Sequence, residues 1–415
     1  MKTFLRLAAA LLAAAATHAA SPPLAVHGAT VYTAAGAPLK DGLVLVRDGK
    51  IAYVGPAAGQ AYSADHRVLH AQVVTPGLID AHATVGLSGL LNQPQDQDML
   101  DKSAAMQPEL RALDAYNAQD PLVAYVRSFG VTTVNTGHAP GALISGQTMI
   151  VKTFGRTADE DVVNPAAMTT VSLGNNGLTS PDVAPGRGAP ADKAPGTRAK
   201  AVAMLRAELI KTREYAAKRA GKDEAKRPDR NLRYETLLRA FDGSQPLLIN
   251  ANRQQDILSA LRVAQEFGVH LVLDGCADAP LVLAELKASG CAVILHPTMA
   301  RSFGDAENLS VETAAQLQAA GIPFAIQSGY EAYVPKTRVV LFEAAVAAAN
   351  GLGFEPALAS VTLNAARLLG IAGRTGSLVP GKDADLALYD GDPFEYTSHC
   401  IGTVINGQVF AAGPH

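Results

Sequence analysis

The central part of the chain alternates short apolar segments with amphipathic helical segments, and this alternation restricts the fold more than any other feature. The apolar segments are "GVTTVNTG" (130–137), "PLLINAN" (246–252), "VHLVLDG" (269–275), "CAVILHP" (291–297) and "IPFAIQSG" (322–329). Runs of this length without polar alternation are typical of strands buried on both faces. Helical segments between them, such as "DILSALRVAQEFG", end in glycine, as helix C-termini often do. Repeated units of this kind predict a parallel barrel or a doubly wound sheet.

Both ends of the chain have a different sequence pattern. Short segments that alternate apolar and polar residues, as β-strands do, are separated by tight turns. Near the N-terminus these are "LAVHGATVYTAAG" and "GLVLVRDGKIAYVG", the second with Asp-Gly at its turn. Near the C-terminus they are "DADLALYDGD" and "CIGTVINGQVF", which turns at Asn406-Gly407. Two β-rich ends around a longer βα region predict one small β-domain built from both termini.

The first twenty residues have the features of an export signal. Lys2 and Arg6 precede an unbroken Ala/Leu stretch at 7–16, and small residues follow at Ala19 and Ala20. The apolar stretch is shorter than the roughly 20 residues that span a bilayer. We therefore expect residues 1–20 to be a signal peptide and the mature protein to be exported, in the periplasm where the cell has one. An uncleaved N-terminal anchor is the alternative.

Composition excludes some classes of partner. The formal net charge of -3 gives no reason to expect nucleic acid or, after signal cleavage, a membrane as partner. A hydrophobic content of 48% is enough for a large core. The three cysteines, Cys276, Cys291 and Cys400, are far apart in sequence and odd in number, so we expect buried thiols rather than disulfides or a zinc ribbon.

One region does not fit a compact βα repeat. Residues 180–196 are rich in proline and glycine, and residues 197–226 form a long, strongly charged helical pattern. We interpret the region around 176–230 as a surface insertion with a solvated helix.

Three segments carry a resemblance to a known family: "VVTPGLIDAHATVG" (73–86), "GVTTV" (130–134) and "TLNAARLLGIAGRTGSLVPGKDADLALYDGDPFE" (362–395). The chain resembles the amidohydrolase superfamily, closest to its imidazolonepropionase-like branch. The resemblance implies an α/β fold with a (β/α)8 TIM barrel at 76–375 and a small composite β-sandwich formed by both termini, at 21–75 and 376–415. It also implies hydrolysis of carbon–nitrogen bonds other than peptide bonds, in amides or cyclic amides, by metal-activated water.

The residues at the metal-ligand positions that the resemblance implies are mostly not metal ligands. Only His82 keeps the expected type. The other positions hold Thr84, Asn250, Asn252, Gly275 and Gly329. We therefore expect a degenerate metal site and no cofactor. The alternative is a single zinc ion on His82, His138 and His296, since each follows a predicted strand and three histidines with water form a catalytic zinc set.

Other residues near the strand ends are candidates for metal-free chemistry or for ligand binding. Candidate catalytic carboxylates are Asp96, Asp98, Asp274 and Glu331, because paired carboxylates can serve as general acid and base. Asp96 and Asp98 lie in an acidic loop that is also of the type that binds a hard ion such as Ca²⁺. Candidate substrate-binding residues are His82, Thr84, Asn250, Asn252, Ser328, Tyr330, Lys336 and Arg338. Arg338 is suited to bidentate pairing with a carboxylate.

Two functions of different classes follow from these patterns. The preferred one is an exported hydrolase with a small-molecule substrate. The alternative is a catalytically inactive relative that binds a small molecule or a partner at the former active-site mouth. A homo-oligomer is left open, because relatives often pair.

Overall fold

The computed structural model describes residues 22–91, 93–178, 195–330 and 339–411. The predicted signal peptide and the candidates Glu331, Lys336 and Arg338 lie outside these residues. The strands are β1 (Leu24–Val31), β2 (Leu39–Arg47), β3 (Lys50–Pro56), β4 (Arg67–Pro76), β5 (Leu78–Ala83), β6 (Val131–Gly137), β7 (Ile144–Lys152), β8 (Val162–Ser172), β9 (Leu247–Ala251), β10 (Leu271–Gly275), β11 (Val293–Leu295), β12 (Phe324–Ile326), β13 (Leu386–Tyr389), β14 (Cys400–Ile405) and β15 (Gln408–Ala411).

The helices flank the strands of the central region. They are α1 (Pro121–Ser128), α2 (Ala158–Asp161), α3 (Arg198–Arg219), α4 (Leu232–Asp242), α5 (Gln254–Phe267), α6 (Leu283–Ser289), α7 (Thr313–Ala320), α8 (Val340–Ala347), α9 (Phe354–Ser360) and α10 (Leu363–Leu368). Glycines in the left-handed conformation end α5 and α6, at Gly268 and Gly290, as the sequence predicts. Within the described ranges no helix has the length and apolar character needed to cross a membrane.

Strands β5 to β12 form one eight-stranded sheet that nearly closes into a barrel. A parallel bridge between Ala83 and Gly329 joins its two edges, and the Gly329 N–H donates to the His82 carbonyl at 3.3 Å. Neighbouring strands from β8 to β12 pair in parallel, as do β5 and β6. This sheet fits the predicted (β/α)8 barrel, and all five apolar segments of the central pattern supply strands to it.

Strand β7 departs from a regular βα barrel because it runs antiparallel to both β6 and β8. All nine residues of β7 are buried, and only six residues separate it from β6, too few for the crossover that a parallel return requires. The chain therefore turns back as a hairpin and places β7 inside the sheet.

The two ends of the chain meet in a second sheet, with strand order β15-β14-β13-β4-β1-β2-β3. Strand β13 pairs antiparallel with β4 from the N-terminal end, and β1 lies parallel to β4 on the other side. The turns of its two hairpins touch, because a Cβ built on Gly49 would lie 2.8 Å from the Asn406 carbonyl oxygen. Val26, Val44, Leu386 and Val404 share one buried cluster. The division of this sheet into the two layers of a sandwich stays a prediction.

Helix α3 lies in the region interpreted as a surface insertion, and one of its sides is part of the main core. Ala201, Leu205 and Leu209 are fully buried there, and the helix packs against α4 and α5. Several of its charged residues face solvent, among them Lys211, Lys218 and Arg219, whereas Glu208 is buried. The helix is thus a half-buried element of the layer around the barrel rather than a solvated appendage. The domain boundaries remain predictions.

Candidate functional site

Three strand ends of the barrel bring together His82, Asn250 and Asp274. His82 is in β5, Asn250 in β9 and Asp274 in β10, and all three are almost completely buried. The His82 Nδ1 lies 3.3 Å from one carboxylate oxygen of Asp274, and the Asn250 amide donates to the other at 2.9 Å. Parallel strands present their carboxyl ends at one face of a barrel, which is where active sites of such barrels lie.

The hydrogen bond to Asp274 determines which nitrogen of His82 is available. A carboxylate only accepts, so Nδ1 carries the hydrogen in this pair and Nε2 has a lone pair. The Nε2 atom is buried and has no hydrogen-bond partner within the described part of the chain. A carboxylate that orients a histidine, with the far nitrogen unprotonated, is the arrangement of a general base.

Asp274 is the centre of a network of N–H donors. Besides His82 and Asn250, the Gln327 amide donates to its carboxylate at 2.6 Å. Asp274 was a sequence candidate, whereas Gln327 was missed. The signal that marks Gln327 is its position directly after β12, at the end of the predicted strand and next to the candidate Ser328.

Tyr330 covers the outer side of this network. Its ring lies 5.3 Å from that of His82, centroid to centroid, and the Asn250 amide donates to its hydroxyl oxygen at 2.8 Å. The other end of the Asn250 side chain accepts from the Asn176 amide at 2.9 Å. Asn176 was also missed, because it lies at the start of the region interpreted as an insertion.

The Ser328 side chain pairs with Asp80 in β5. The Ser328 backbone N–H donates to Asp80 at 3.0 Å, and the Ser328 hydroxyl donates to the other carboxylate oxygen. Burial raises the pKa of Asp80 to about 6, although the hydrogen bonds from Ser328 oppose that shift. This pair joins β5 to the segment after β12, so the geometry supports a role for Ser328 in barrel closure, and its assignment to substrate binding stays a prediction.

Thr84, Asp96 and Asp98 lie apart from the network. The Thr84 hydroxyl is 2.8 Å from that of Ser88, and its carbonyl accepts from the Ser88 N–H, so this residue closes a local turn. Asp98 is exposed, and Asp96 packs against Gly89. Among the described residues no hydrogen bond joins these three side chains to His82 or Asp274. Their assignments to substrate binding and catalysis are therefore not supported by the geometry.

A cavity of about 380 Å³ opens beside Tyr330 at the same end of the barrel. Gly329, Tyr330, Asn252 and His296 line its inner side. Gly275 has a φ of +87°, and a Cβ there would lie 2.5 Å from the Asn252 amide oxygen, so glycine leaves the room that Asn252 occupies. Because Gly329 and Tyr330 also contact His82, the histidine lies directly behind the cavity wall.

The three histidines considered as zinc ligands do not form one site. His296 lines the cavity, whereas His138 packs over the backbone of Gly146, where a Cβ would lie 2.3 Å from its ring. In the part of the chain that the structure describes, no three His, Cys, Asp or Glu side chains lie close enough together to hold a metal ion. The three-histidine alternative is not supported by this arrangement.

The residues around His82 also do not fit the metal that the resemblance implies. His82 Nε2 is a suitable ligand atom, but its neighbours are two amides, a phenol and one carboxylate. That carboxylate already accepts N–H groups from His82, Asn250 and Gln327, whose hydrogens would face an incoming cation. The side chains around His82 and Asp274 therefore hold the Asp274 carboxylate by hydrogen bonds and do not supply a set of metal ligands.

Comparison with known proteins shows likeness over most of the chain. Residues 290–411 match the model of the amidohydrolase family. The imidazolonepropionase of Rhizorhabdus wittichii is 25% identical over 380 residues, covering 85% of this chain and 88% of that protein. That of Brucella anthropi is 27% identical over 380 residues, covering 86% and 89%. The crystal structure of an amidohydrolase from Thermotoga maritima has a TM-score of 0.84 at 26% identity, covering 94% of this chain and 100% of that chain.

Proposed function

Because this chain belongs to the amidohydrolase superfamily, in its imidazolonepropionase-like branch, we propose that it hydrolyses carbon–nitrogen bonds of non-peptide amides or cyclic amides. The observation that carries the proposal is the buried His82–Asp274 pair, whose Nε2 has no partner among the described residues and lies behind a cavity at the barrel mouth. The substrate is a small molecule, the metal site is degenerate, and the hydrolytic water is activated by the histidine.

The geometry supports a reaction with one base that later serves as the acid. His82 Nε2 takes a proton from water as the water oxygen attacks the amide carbonyl carbon. Asp274 accepts the Nδ1–H of the resulting imidazolium and balances its charge. When the carbon–nitrogen bond breaks, Nε2 returns the proton to the leaving nitrogen, so the products are an acid and an amine, or the opened ring.

Two further side chains have positions suited to the substrate. Asn252 lines the cavity, and its amide oxygen accepts from the Ala277 N–H at 3.4 Å, which leaves the amide hydrogens to donate to a carbonyl oxygen. Tyr330 lines the cavity and its ring packs beside that of His82, so the proposal includes a rotation of this ring that admits substrate and water to Nε2.

A substrate panel with matched variants tests this proposal. We expect turnover of at least one amide, lactam or cyclic imide, unchanged by a chelator. In His82→Gln and Asp274→Asn, kcat should fall by about 10²–10⁴-fold, the usual contribution of general-base catalysis. His399→Gln is the matched control, because His399 is exposed in the terminal sheet. Thermal unfolding of each variant separates lost chemistry from lost structure.

Two results would contradict the proposal. One is turnover that survives His82→Gln in a folded protein. The other is stoichiometric metal in protein purified without chelator, with activity that the chelator abolishes.

The second candidate function is a catalytically inactive binding protein. Two observations favour this candidate. The Nε2 atom of His82 is shielded from solvent, and the Asp274 carboxylate already accepts hydrogen bonds from three N–H donors. Ligands that raise the melting temperature, together with no turnover across the panel, would support this candidate over the hydrolase.

The remaining features of the proposal concern location and architecture. We propose export to the periplasm with residues 1–20 removed, which the intact mass of the protein from the native host checks. The composite terminal sheet is proposed to be a two-layer sandwich, in line with the contact between Gly49 and Asn406. Neither nucleic acid nor a membrane is proposed as partner, and homo-oligomerisation stays open.

A further inference from the structure

His296 lines the cavity beside the proposed active site, and one of its two ring nitrogens is a buried hydrogen-bond acceptor. Its Nδ1 lies 3.0 Å from the Pro297 carbonyl oxygen, which only accepts, so Nδ1 carries the hydrogen and Nε2 has the lone pair. The residue is 3% exposed, and Nε2 has no hydrogen-bond partner among the residues that the structure describes. Burial lowers the pKa of His296 to about 4, so the ring is neutral at ordinary pH. An unpaired buried acceptor at a cavity wall favours a ligand that donates a hydrogen bond.

Part of the cavity wall is apolar, and the polar residues Asn175, Asn176, Arg301 and Asp305 line other parts of it. Met99, Leu100, Phe303 and Leu309 line the apolar part together with several alanines and prolines. Phe303 is 69% exposed, so its ring is available to cover a ligand at the mouth. A cavity with apolar walls and a few convergent polar groups suits a ligand with an apolar body and a small polar head.

The acidic residue at the rim of the cavity does not favour a cationic ligand. Asp305 lines the cavity, but its carboxylate is 2.8 Å from Arg198 and 3.4 Å from Arg253. It also accepts from the Asn175 backbone N–H at 2.5 Å. With its charge balanced in this way, the rim adds no strong attraction for a positive group.

We propose that this cavity binds the N–H and the apolar substituent of a neutral secondary amide, the N–H donating to His296 Nε2. This inference rests on the proposed hydrolase function and names the substrate class: amides or lactams with a free N–H and an aryl or branched alkyl body. Asn252, which follows β9, lines the same cavity and is assigned to the carbonyl of the same group. An ester, or an amide methylated on nitrogen, leaves the His296 acceptor unpaired.

The test compares two probes that differ at the nitrogen, acetanilide and N-methylacetanilide. Their binding is measured by calorimetry in the His82→Gln variant, so that hydrolysis does not interfere. We expect acetanilide to bind about tenfold more tightly, the discrimination that one satisfied hydrogen bond to a buried acceptor gives. His296→Leu should remove the difference between the probes. His296→Gln, which places an amide oxygen near the position of Nε2, should restore part of it.

The outcomes separate this inference from the function on which it rests. Preference for the N–H probe without turnover of any amide by the unmutated protein supports the subsite and refutes the hydrolase. Turnover with equal binding of both probes overturns the subsite alone, as does binding of neither probe. If His296→Leu does not fold, the probe pair still decides, because the comparison in protein with an intact His296 needs no change at that position.

Discussion

Asp80 is a carboxyl group buried at the seam where β5 meets the end of the barrel sheet. Burial raises its pKa to about 6, so the folded protein binds this proton more tightly than the unfolded chain, whose aspartates titrate near 3.9. The free energy of unfolding should therefore fall as pH rises from about 4 to about 6, by about 3 kcal/mol for a shift of this size. Asp80→Asn should remove this part of the pH dependence, measured by urea denaturation between pH 4 and 7.5.

The control for this prediction is the other carboxyl that titrates in the same range. Burial also raises the pKa of Asp161 to about 6, and it lies in α2, away from the seam. Asp161→Asn should leave the Asp80 contribution in place. An Asp80→Asn protein with the same slope as the unmutated protein would show that the carboxyl is not the titrating group.

At the residue scale, the sequence predicts where in the fold the site residues lie, but it predicts less well which side chains they contact. The strand-end positions of His82, Asn250 and Asp274 follow from the βα pattern, because carboxyl ends of parallel strands converge. The partner of each side chain does not follow, because register and side-chain direction depend on how the barrel closes. Ser328 shows this: its position matches a ligand-binding residue, but the closure of the sheet turns it toward Asp80.

At the scale of elements, α3 shows how a charged helix also belongs to the core. Its buried positions Ala201, Leu205 and Leu209 are spaced by four residues, so they lie on one stripe of the helix. Leu205→Ala should lower the free energy of unfolding by about 2–5 kcal/mol, the cost of removing a buried leucine side chain. Ile210→Ala on the same helix is the matched control, because Ile210 is 48% exposed and should change it by about 0.5 kcal/mol or less.

Urea denaturation of the two variants checks this packing. Equal small effects would mean that α3 lies on the surface, as the sequence alone suggests. The buried side of α3 is difficult to recognise from the sequence because charged residues dominate the composition of the helix. A narrow apolar stripe changes its average hydrophobicity only slightly. Strand β7 was obscured for a related reason: its glycine and polar residues conceal a segment that is buried along its whole length.

At the scale of the whole molecule, the sequence predicts that the two termini form one β-domain. It does not predict which of their strands pair or in which register. The alternating β-strand pattern at both ends of the chain suggests a shared domain. However, it is the folded barrel between the two ends that brings β13 next to β4. That pairing joins residues more than 300 positions apart in sequence, such as Pro76 and Leu386. Local patterns carry no information about which strands of such a pair align.

A buried charge cluster links the barrel to the terminal sheet. Lys152, at the end of β7, pairs with Asp385 and lies 3.2 Å from Asp383, just before β13. Burial would raise the pKa of Asp383, but Lys152, with Lys50 and Arg374, outweighs burial and lowers the pKa to about 2. Because the folded pKa is below the unfolded one, this carboxylate stabilises the protein above about pH 4, and its contribution is lost as pH falls toward 2.

Lys152→Met should therefore weaken the whole molecule rather than one element. It leaves Asp385 buried without its cation, and removing one partner of a buried ion pair costs about 3–5 kcal/mol. The pH midpoint of acid unfolding, followed by far-ultraviolet circular dichroism, should rise, because Asp383 then takes up its proton at higher pH. Lys40→Met is the control, since Lys40 is exposed in β2 and bonds only to Thr30 among the described residues. An unchanged midpoint in Lys152→Met would mean that this cluster does not help to hold the barrel and the terminal sheet together, and that their other contacts, such as the hydrogen bond from Thr403 to the Arg127 carbonyl, are sufficient.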